Sequence, residues 1–240
     1  GWGLDFQTLS GWGMQEVPHK RYLNDFFTGK IAESVSRGEL YNEDPITGDA
    51  RFCATTASMC GIESAGFEQN EEKKKRAVRF DLMLHAYMMV QSGIPMLYSG
   101  DEIGQVNDYT YKNDPEKRVD SRYIHRGKFD WKLADGRKRK GTVQKELFDG
   151  IGKLRSIRSK EKVFDASANV WTLDTWENGI LGVVRELEGE QMTALFNFAE
   201  EDRTAWIEEE GEYMDLYTGK KVSLQAIKME GHSFVLAKKC

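Results

Sequence analysis

A long apolar helix followed directly by a short apolar strand is the sequence feature that most constrains the fold. Residues 71–91 begin with Glu71 and Glu72, continue through four cations and become apolar on nearly every side, which is typical of a buried helix. Gly93 can supply the left-handed residue that ends this helix. The following run 94–99 is apolar and bounded by glycines, which predicts a buried parallel strand. Such a helix-to-strand step indicates an α/β fold.

Beyond Lys162 the hydrophobic period changes to two, which predicts short antiparallel strands. We expect these strands at residues 170–176, 180–187, 191–198, 203–207, 213–216, 221–224 and 233–236. Glycine-containing turns such as Glu188-Gly189 and Glu210-Gly211 separate several of them. This spacing predicts a small antiparallel β-sandwich that begins near residues 161–166.

The remainder of the chain predicts helices and loops. Residues 1–70 are rich in glycine and turn formers, with helical stretches at 21–27 and 30–37. Residues 109–139 predict a long polar loop, and residues 144–158 predict an amphipathic helix. The aromatic side chains expected to form a small core in the first region are Trp2, Phe6, Trp12, Tyr22, Phe26 and Phe27.

Composition excludes several classes of protein. A net charge of −5 argues against nucleic acid or an anionic membrane as the main partner. The basic run 73–76 does not change this, because four consecutive residues wind right round a helix. No apolar window reaches about 18 residues, so the sequence predicts no membrane span.

The cysteines and histidines predict neither a metal site nor a cofactor. The three cysteines are an odd number without a CxxC spacing, which excludes a disulfide framework and fits a reducing cytoplasm. The histidines lack partners at the spacing of metal ligands. The chain begins at Gly1 without the basic and apolar regions of a signal peptide, so we expect part of a longer, cytoplasmic protein.

Carboxylates at two places are candidates for chemistry. Asp101 and Glu102 follow the C-terminal end of the predicted strand, the edge at which α/β folds place active sites. They can face a cleft, or they can cap a helix and form a structural salt bridge. Asp49 and Arg51, next to a Thr-Gly turn, leave the same functional and structural alternatives open.

The polar loop contains the third group of candidates. Asp120, Arg122, His125 and Arg126 lie within seven positions of one another. Because a guanidinium offers forked donors to a carboxylate, this group can bind sugar hydroxyls or orient a catalytic carboxylate. A solvated, charged loop is the alternative that spacing alone leaves open.

Residues 93–104, with the sequence GIPMLYSGDEIG, strongly resemble the last barrel strand of the α-amylase family, glycoside hydrolase family 13. The flanking motifs resemble the amylosucrase-like branch of that family most closely. The resemblance covers nearly the whole chain and is weakest after Val163. These flanking motifs lie in the expected order at residues 19–27, 34–38, 47–51 and 120–126.

The resemblance implies an α/β plus all-β architecture, namely the C-terminal portion of a (β/α)8 TIM barrel followed by an antiparallel β-sandwich. Residues 1–70 would be the subdomain inserted after barrel strand seven. Residues 71–162 would be the last part of the barrel, with helix seven, strand eight and helix eight. Residues 163–240 would be the C-terminal sandwich domain.

The resemblance also implies retaining chemistry, in which an aspartate nucleophile, a glutamate acid/base and a further aspartate act on the glycosidic bond. Gly1-Trp2 resembles the residues that directly follow the last of these carboxylates. All three would therefore lie upstream, and we expect no catalytic residue in this chain.

Substrate binding is the role that the resemblance assigns to residues of this chain. Arg126 would pair with a carboxylate at the glucosyl subsite and contact the sugar. Arg51 would hold the acceptor or the leaving fructose, and Asp49 is assigned to substrate binding beside it. Asp120, Arg122 and His125 would shape the loop over the cleft.

Two functional hypotheses from different classes follow. The first is the C-terminal part of an α-glucosyl hydrolase or transferase that acts on sucrose or an α-glucan oligosaccharide and is inactive by itself. The second is a non-catalytic carbohydrate-binding or regulatory module. The strand 94–99 favours the first, because its apolar faces and open edges need neighbours that this chain does not contain. We therefore expect the chain to pair with a missing N-terminal barrel portion or to associate with itself through this strand.

Overall fold

The computed structural model describes residues 4–240. The position expected for Gly1-Trp2 beside the catalytic carboxylates, and that of Trp2 in an aromatic core, lie outside the described residues.

The chain divides into two compact units. The first comprises the residues up to Val78 together with Tyr98–Gln144. The second comprises Arg79–Leu97 together with Lys145–Cys240. The division into domains at 1–70, 71–162 and 163–240 stays a prediction.

Short helices and turns make up most of the first unit. Helix α1 spans Phe6–Gly11 and α2 spans Glu16–Phe27, so the helix expected at 21–27 is confirmed and begins earlier. The short helices α3 and α4 span Thr56–Met59 and Ile62–Phe67. The polar loop contains the helix α6 at Trp131–Ala134 and 3₁₀ turns at Asp101–Ile103, Tyr109–Asn113, Ser121–His125 and Asp135–Lys138.

The helix expected at 30–37 is wrong, since the segment is irregular. Its serines bind the end of α2 instead. The Ser34 hydroxyl donates to the carbonyl of Phe26, and the Ser36 hydroxyl donates to the carbonyl of Phe27. Serine side chains compete with the helical backbone in this way, and here they satisfy carbonyls that the end of α2 leaves without partners.

The aromatic core expected in this region forms only in part. The rings of Phe26 and Phe27 lie 5.5 Å apart, and Phe27 lies 5.2 Å from Phe52. Trp12 and Tyr22 are exposed, so they do not belong to a core within the described residues.

A small β-hairpin, which the sequence did not predict, lies between α2 and α3. Strands β1 (Glu39–Tyr41) and β2 (Arg51–Cys53) are antiparallel, with Tyr41 opposite Arg51. In the connecting loop Asp44 Oδ1 accepts hydrogen bonds from the backbone N–H groups of Ile46 and Thr47, at 2.8 and 3.1 Å. Strands of three residues are too short to show a countable hydrophobic period.

Helix α5 spans Glu71–Val90, which confirms the strongest prediction from the sequence. Its second half buries Met83, Ala86 and Val90 completely. Gly93 follows with a left-handed φ of +94°, as the helix-stop signal predicts.

The buried strand expected at 94–99 is wrong for the chain as described. Residues 94–98 form no strand, and Ile94 and Met96 are 87% and 77% exposed. A strand needs neighbours to satisfy its backbone groups, and none of the strands described within residues 4–240 pairs with this run.

An antiparallel sheet of six strands dominates the second unit, in the order β3-β4-β5-β10-β7-β8. A separate pair, β6 and β9, is also antiparallel, so the antiparallel prediction is confirmed. The sequence analysis did not predict a strand at Ile227–Met229, which is β9. The strands are β3 Asn169–Leu173, β4 Ile180–Leu187, β5 Glu190–Asn197, β6 Arg203–Ala205, β7 Tyr213–Asp215, β8 Lys221–Val222, β9 Ile227–Met229 and β10 Phe234–Lys239.

Both faces of this sheet are covered, which the alternation along β5 shows directly. Ala194 and Phe196 pack with residues of α5 and of α7, the helix Val143–Lys160. Leu195 points to the other face and packs with residues of the β6-β9 pair. Helix α7 confirms the prediction at 144–158. Within residues 4–240 no helix combines the length and the apolar character needed to cross a bilayer.

Candidate substrate-binding loops

A buried polar cluster fixes the start of the polar loop in the first unit. Asn107 is only 7% exposed, and its side chain bonds in two directions. Its Oδ1 accepts from the backbone N–H of Thr55 at 2.9 Å, and its Nδ2 donates to the carbonyl of Arg37 at 2.9 Å. Its own backbone N–H donates to Ser58 Oγ at 2.9 Å. Three segments that are distant in sequence are thereby joined.

Glu63 extends this cluster to the surface. Its carboxylate accepts a hydrogen bond from the Ser58 hydroxyl and a second one, at 2.7 Å, from the hydroxyl of Tyr109. Burial, with the Glu63 carboxylate adding to it, raises the pKa of Tyr109 to about 12. The phenol therefore stays a proton donor to Glu63 at neutral pH.

Glu39 on β1 holds the next part of the loop. Its carboxylate accepts a hydrogen bond from the Tyr111 hydroxyl, and Lys112 Nζ lies 2.5 Å from Oε1 of the same carboxylate. Burial raises the pKa of Tyr111 well above its ordinary value. The turn Tyr109–Asn113 is thus tied to β1.

Asp120 and Arg122 form a bidentate pair. Arg122 Nε lies 2.9 Å from Asp120 Oδ1, and its Nη2 lies 2.7 Å from Oδ2. The guanidinium also lies 4.3 Å from the ring centre of Tyr41. The hydrogen bond from Arg122 lowers the pKa of Asp120 to about 2, and the same bond raises the pKa of Arg122. Asp120 is therefore ionised at neutral pH and positions Arg122 against an aromatic ring.

His125 and Arg126 follow on the same turn. The half-buried His125 ring contacts Tyr98 edge to face at 5.8 Å. Burial, together with the charge of Arg126, lowers the pKa of His125, so the ring is neutral at pH 7. Its buried Nδ1 has no hydrogen-bond partner among residues 4–240. Arg126 is exposed, lies 5.7 Å from the ring centre of Tyr123 and forms no ion pair with any described residue.

Two open clefts adjoin these side chains. One, of about 580 Å³, is lined by Arg126, Tyr123, Lys117 and Asp108 among others. The other, of about 740 Å³, is lined by residues of β1 and of the loop. Tyr111 lines both. Their mixture of aromatic rings, hydroxyls and charges suits a ligand rich in hydroxyl groups.

The structure gives Asp49 and Arg51 different surroundings. Asp49 Oδ1 lies 2.8 Å from Nζ of Lys20, which is 4% exposed and also lies 2.6 Å from Glu16 Oε1. The hydrogen bond from Lys20 lowers the pKa of Asp49. Asp49 therefore joins the hairpin loop to α2. Arg51 is exposed and makes no side-chain hydrogen bond or ion pair within the described part of the chain.

Asp101 and Glu102 accept hydrogen bonds from backbone N–H groups of their own turn, a structural role that differs from the helix cap and the salt bridge expected as the alternative. Asp101 is buried, and its Oδ2 accepts from the N–H of Tyr98 at 3.2 Å. Glu102 Oε2 accepts from the N–H of Gly100 at 2.9 Å. These carboxylates shape the turn Asp101–Ile103 and do not line either cleft. Among residues 4–240 no group of three acidic, histidine or cysteine side chains could hold a metal ion.

Sequence reasoning missed the residues that hold the loop in place. Asn107, Ser58 and Glu63 carry no local motif, and Ser58 and Asn107 are 49 positions apart. Tyr41, which contacts the Arg122 guanidinium, and Tyr111, which donates to Glu39, were also missed.

No family model matches the chain. Several solved structures are similar to it. The structure of AmyP in a complex with maltotriose has a TM-score of 0.55 and a sequence identity of 14%. This match covers 68% of the present chain and 35% of AmyP. The trehalulose synthase MutB from Pseudomonas mesoacidophila MX-45 has a TM-score of 0.51 at 15% identity over 67% of this chain and 38% of its own. The match thus spans well under half of each enzyme. Both are enzymes of the α-amylase family. The chain therefore shares the fold of one part of the α-amylase-family enzymes.

Proposed function

We propose that this chain is the C-terminal part of a retaining α-glucosyl hydrolase or transferase, of the amylosucrase-like type, that acts on sucrose or α-glucans. In this proposal the chain supplies substrate-binding loops and another part of the enzyme supplies the catalytic carboxylates. The observation that carries the proposal is Arg126, an exposed guanidinium that lines a cleft and pairs with no carboxylate of residues 4–240.

The engagement of the nearby carboxylates supports this assignment. A retaining mechanism needs one carboxylate as nucleophile and a second as acid/base, about 5 Å apart. Asp120 is bound by Arg122, Asp49 is bound by Lys20, and Asp101 accepts a backbone N–H. A carboxylate whose lone pairs are already committed to a cation is a weak nucleophile, and an ionised one cannot act as acid.

Arg126 and Arg51 are exposed cations that form no ion pair with a described residue, and we assign the binding roles to these two. Arg118 and Lys128, which line the clefts, also form no ion pair within residues 4–240. Arg126 would pair with a carboxylate at the glucosyl subsite and contact the sugar, for which a forked guanidinium is well suited. Arg51 would hold the acceptor or the leaving fructose. The neutral His125 ring and the Asp120–Arg122 pair would shape the loop over the cleft. The maltotriose complex of AmyP supports an α-glucan as the ligand class.

The chemistry would then proceed with retention. The nucleophile attacks the anomeric carbon, the glycosidic oxygen leaves with a proton from the acid/base, and a β-glucosyl-enzyme forms. Water or a sugar hydroxyl releases the glucosyl group in the second step. The residues of this chain bind and orient the sugar during both steps.

The exposed run 94–98 supports the view that other strands complete this part of the fold. Ile94 and Met96 are largely exposed, whereas a barrel strand would be buried on both faces. The partner would be the missing N-terminal barrel portion, or a second chain bound through the same run. We also propose a reducing cytoplasm as the location of the protein, a compartment in which the buried thiols of Cys53 and Cys60 would stay reduced.

The proposal is tested by substituting Arg126 in the enzyme that contains the catalytic carboxylates. We expect Arg126→Ala to lower kcat/KM on sucrose and on maltotriose by roughly a hundredfold or more, because a charged contact to the reacting sugar commonly contributes a few kcal/mol. Arg139→Ala is the matched control, since Arg139 is exposed in the same unit and lines neither cleft.

The 240-residue chain alone gives the complementary result. We expect it to release neither glucose nor fructose from sucrose, and no glucose from maltotriose. Turnover by the chain alone would mean that the catalytic carboxylates lie within it. Equal kcat/KM in the Arg126→Ala and Arg139→Ala enzymes would reject the role of Arg126.

A further inference from the structure

A groove on the second unit holds two exposed tryptophans. It measures about 540 Å³ and is lined by Trp176, Trp206, Ile207, Glu208 and Gln225. The two tryptophan side chains are 68% and 56% exposed, whereas Ile207 is buried. Tryptophan is the largest apolar side chain, and two of them on one groove leave an apolar surface in water at a cost that a ligand would relieve.

The backbone determines that Trp206 faces the groove. Ala205, the last residue of β6, and Ile207 are buried, whereas Trp206 and Glu208 are exposed, so the burial pattern places Trp206 on the outer side of this segment. The N–H of Trp206 donates to the carbonyl of Thr175 at 2.9 Å. Thr175 is itself buried, and its hydroxyl donates to the carbonyl of Ile180 at 2.8 Å. Trp206 is therefore fixed directly to the residue that precedes Trp176.

The conformation of Trp176 adds an independent observation. Its φ is +54°, in the left-handed region that a bulky residue rarely adopts. Its N–H donates to Asp174 Oδ1 at 2.8 Å, which holds the residue in this conformation. The surroundings of Trp176 therefore determine its conformation, as they do for the other non-glycine residues with positive φ, such as Glu188 in the hairpin turn.

The chemistry of the groove selects its ligand. Indole rings pack against the C–H faces of pyranose rings, and the Glu208 and Gln225 side chains offer hydrogen-bonding groups to hydroxyls. None of the five lining residues is basic, and Glu208 is acidic, which disfavours phosphates and nucleic acids. The volume lies within the range of roughly 300–1,000 Å³ that small-molecule sites occupy. A stable protein partner would need a contact of about 800 Å² per side, far more than these side chains offer.

We propose that this groove is a second, non-catalytic carbohydrate site that binds glucose units of an α-glucan chain between Trp176 and Trp206. The choice of an α-glucan rests on the function proposed above, whereas sugar binding rests on the groove itself. The site would hold a glucan polymer on the second unit.

Native gel electrophoresis of the 240-residue chain with glycogen in the gel tests the proposal. We expect glycogen to retard the unsubstituted chain, and Trp176→Ala or Trp206→Ala to weaken binding by roughly tenfold or more, as truncation of a central tryptophan commonly does. Trp171→Ala is the matched control, because Trp171 is an exposed tryptophan on β3 that does not line the groove. Circular dichroism checks that each variant melts like the parent chain.

Each outcome decides a different point. Equal retardation of the Trp176→Ala, Trp206→Ala and Trp171→Ala chains, or no retardation by any polysaccharide, would overturn the site. Retardation by a β-glucan alone, lost in the same two variants, would support a sugar site and reject the α-glucan of the proposed function. Light scattering that shows self-association dependent on Trp176 and Trp206 would replace the sugar by a second chain.

Discussion

At the scale of single residues, the charges of the polar loop are arranged by their nearest partners. Asp120 is held by three hydrogen bonds from the Arg122 side chain and one from its backbone N–H. Arg126, four residues after Arg122, has no carboxylate partner among the described residues. One arginine is therefore positioned within the loop, and the other is available to a ligand.

The Asp120–Arg122 pair predicts a pH dependence of stability. The folded pKa of Asp120 is lowered to about 2, below the value of about 3.9 expected in the unfolded chain. The group therefore stabilises the fold fully above about pH 4, and this contribution is lost as the pH falls toward 2. We expect Asp120→Asn to lower the melting temperature at pH 7 and to have a much smaller effect at pH 2.5.

Melting curves across this pH range measure the difference between the two proteins. Asp135→Asn is the control, because Asp135 forms an exposed pair with Lys138 that contributes little to stability. A difference between Asp120→Asn and the parent chain that is equally large at pH 7 and at pH 2.5 would contradict the linkage.

At the scale of elements, sequence patterns predicted the long helices, whose signals are local. They missed the features that depend on residues distant in sequence, namely the state of the run 94–98 and the contacts that hold the polar loop. Helix α5 was predicted from its acidic first turn, its long apolar second half and the glycine that follows, and α7 was predicted from its amphipathic period. The run 94–98 has the composition of a strand, but a strand exists only where a neighbour pairs with it. The polar loop was predicted from its composition. The hydrogen bonds of Asn107 that hold it could not be predicted, because they join residues 49 to 70 positions apart in the sequence.

The end of α5 depends on a buried arginine that no sequence pattern indicated. Arg185 on β4 is 1% exposed and donates to the carbonyls of Val163, Val90 and Asp165, at 2.6, 2.9 and 3.1 Å. Its guanidinium lies 5.5 Å from the ring centre of Phe164. Burial lowers the pKa of Arg185. The negative, C-terminal end of the α5 dipole, which Arg185 contacts at the carbonyl of Val90, stabilises its positive charge. The arginine thereby joins helix, turn and sheet in the second unit.

We expect Arg185→Met to destabilise the second unit by about 2–4 kcal/mol, because three carbonyls lose their donors while the methionine fills much of the volume. Arg185→Lys should recover only part of the loss, since one ammonium cannot reach all three carbonyls. Urea unfolding followed by far-ultraviolet circular dichroism measures this. Arg203→Met, at an exposed arginine on β6, is the control, and an equal midpoint for both methionine variants would show that the Arg185 contacts contribute nothing.

At the scale of the whole molecule, the apolar run at 94–98 stands out because its side chains are exposed. Ile94 and Met96 are more exposed than most apolar side chains of a folded chain, and their neighbours Leu97 and Tyr98 are exposed with them. A contiguous apolar run of this kind marks a surface that another protein segment covers. We expect the purified 240-residue chain to self-associate through this run. Ile94→Asp combined with Met96→Asp should shift the mass measured by light scattering toward that of one chain, because a buried carboxylate without a partner opposes association.

Phe67→Asp is the matched control, since Phe67 on α4 is equally exposed but lies outside the run. A monomeric parent chain at every concentration, or association that the Ile94→Asp and Met96→Asp changes leave intact, would show that this run is not the interface.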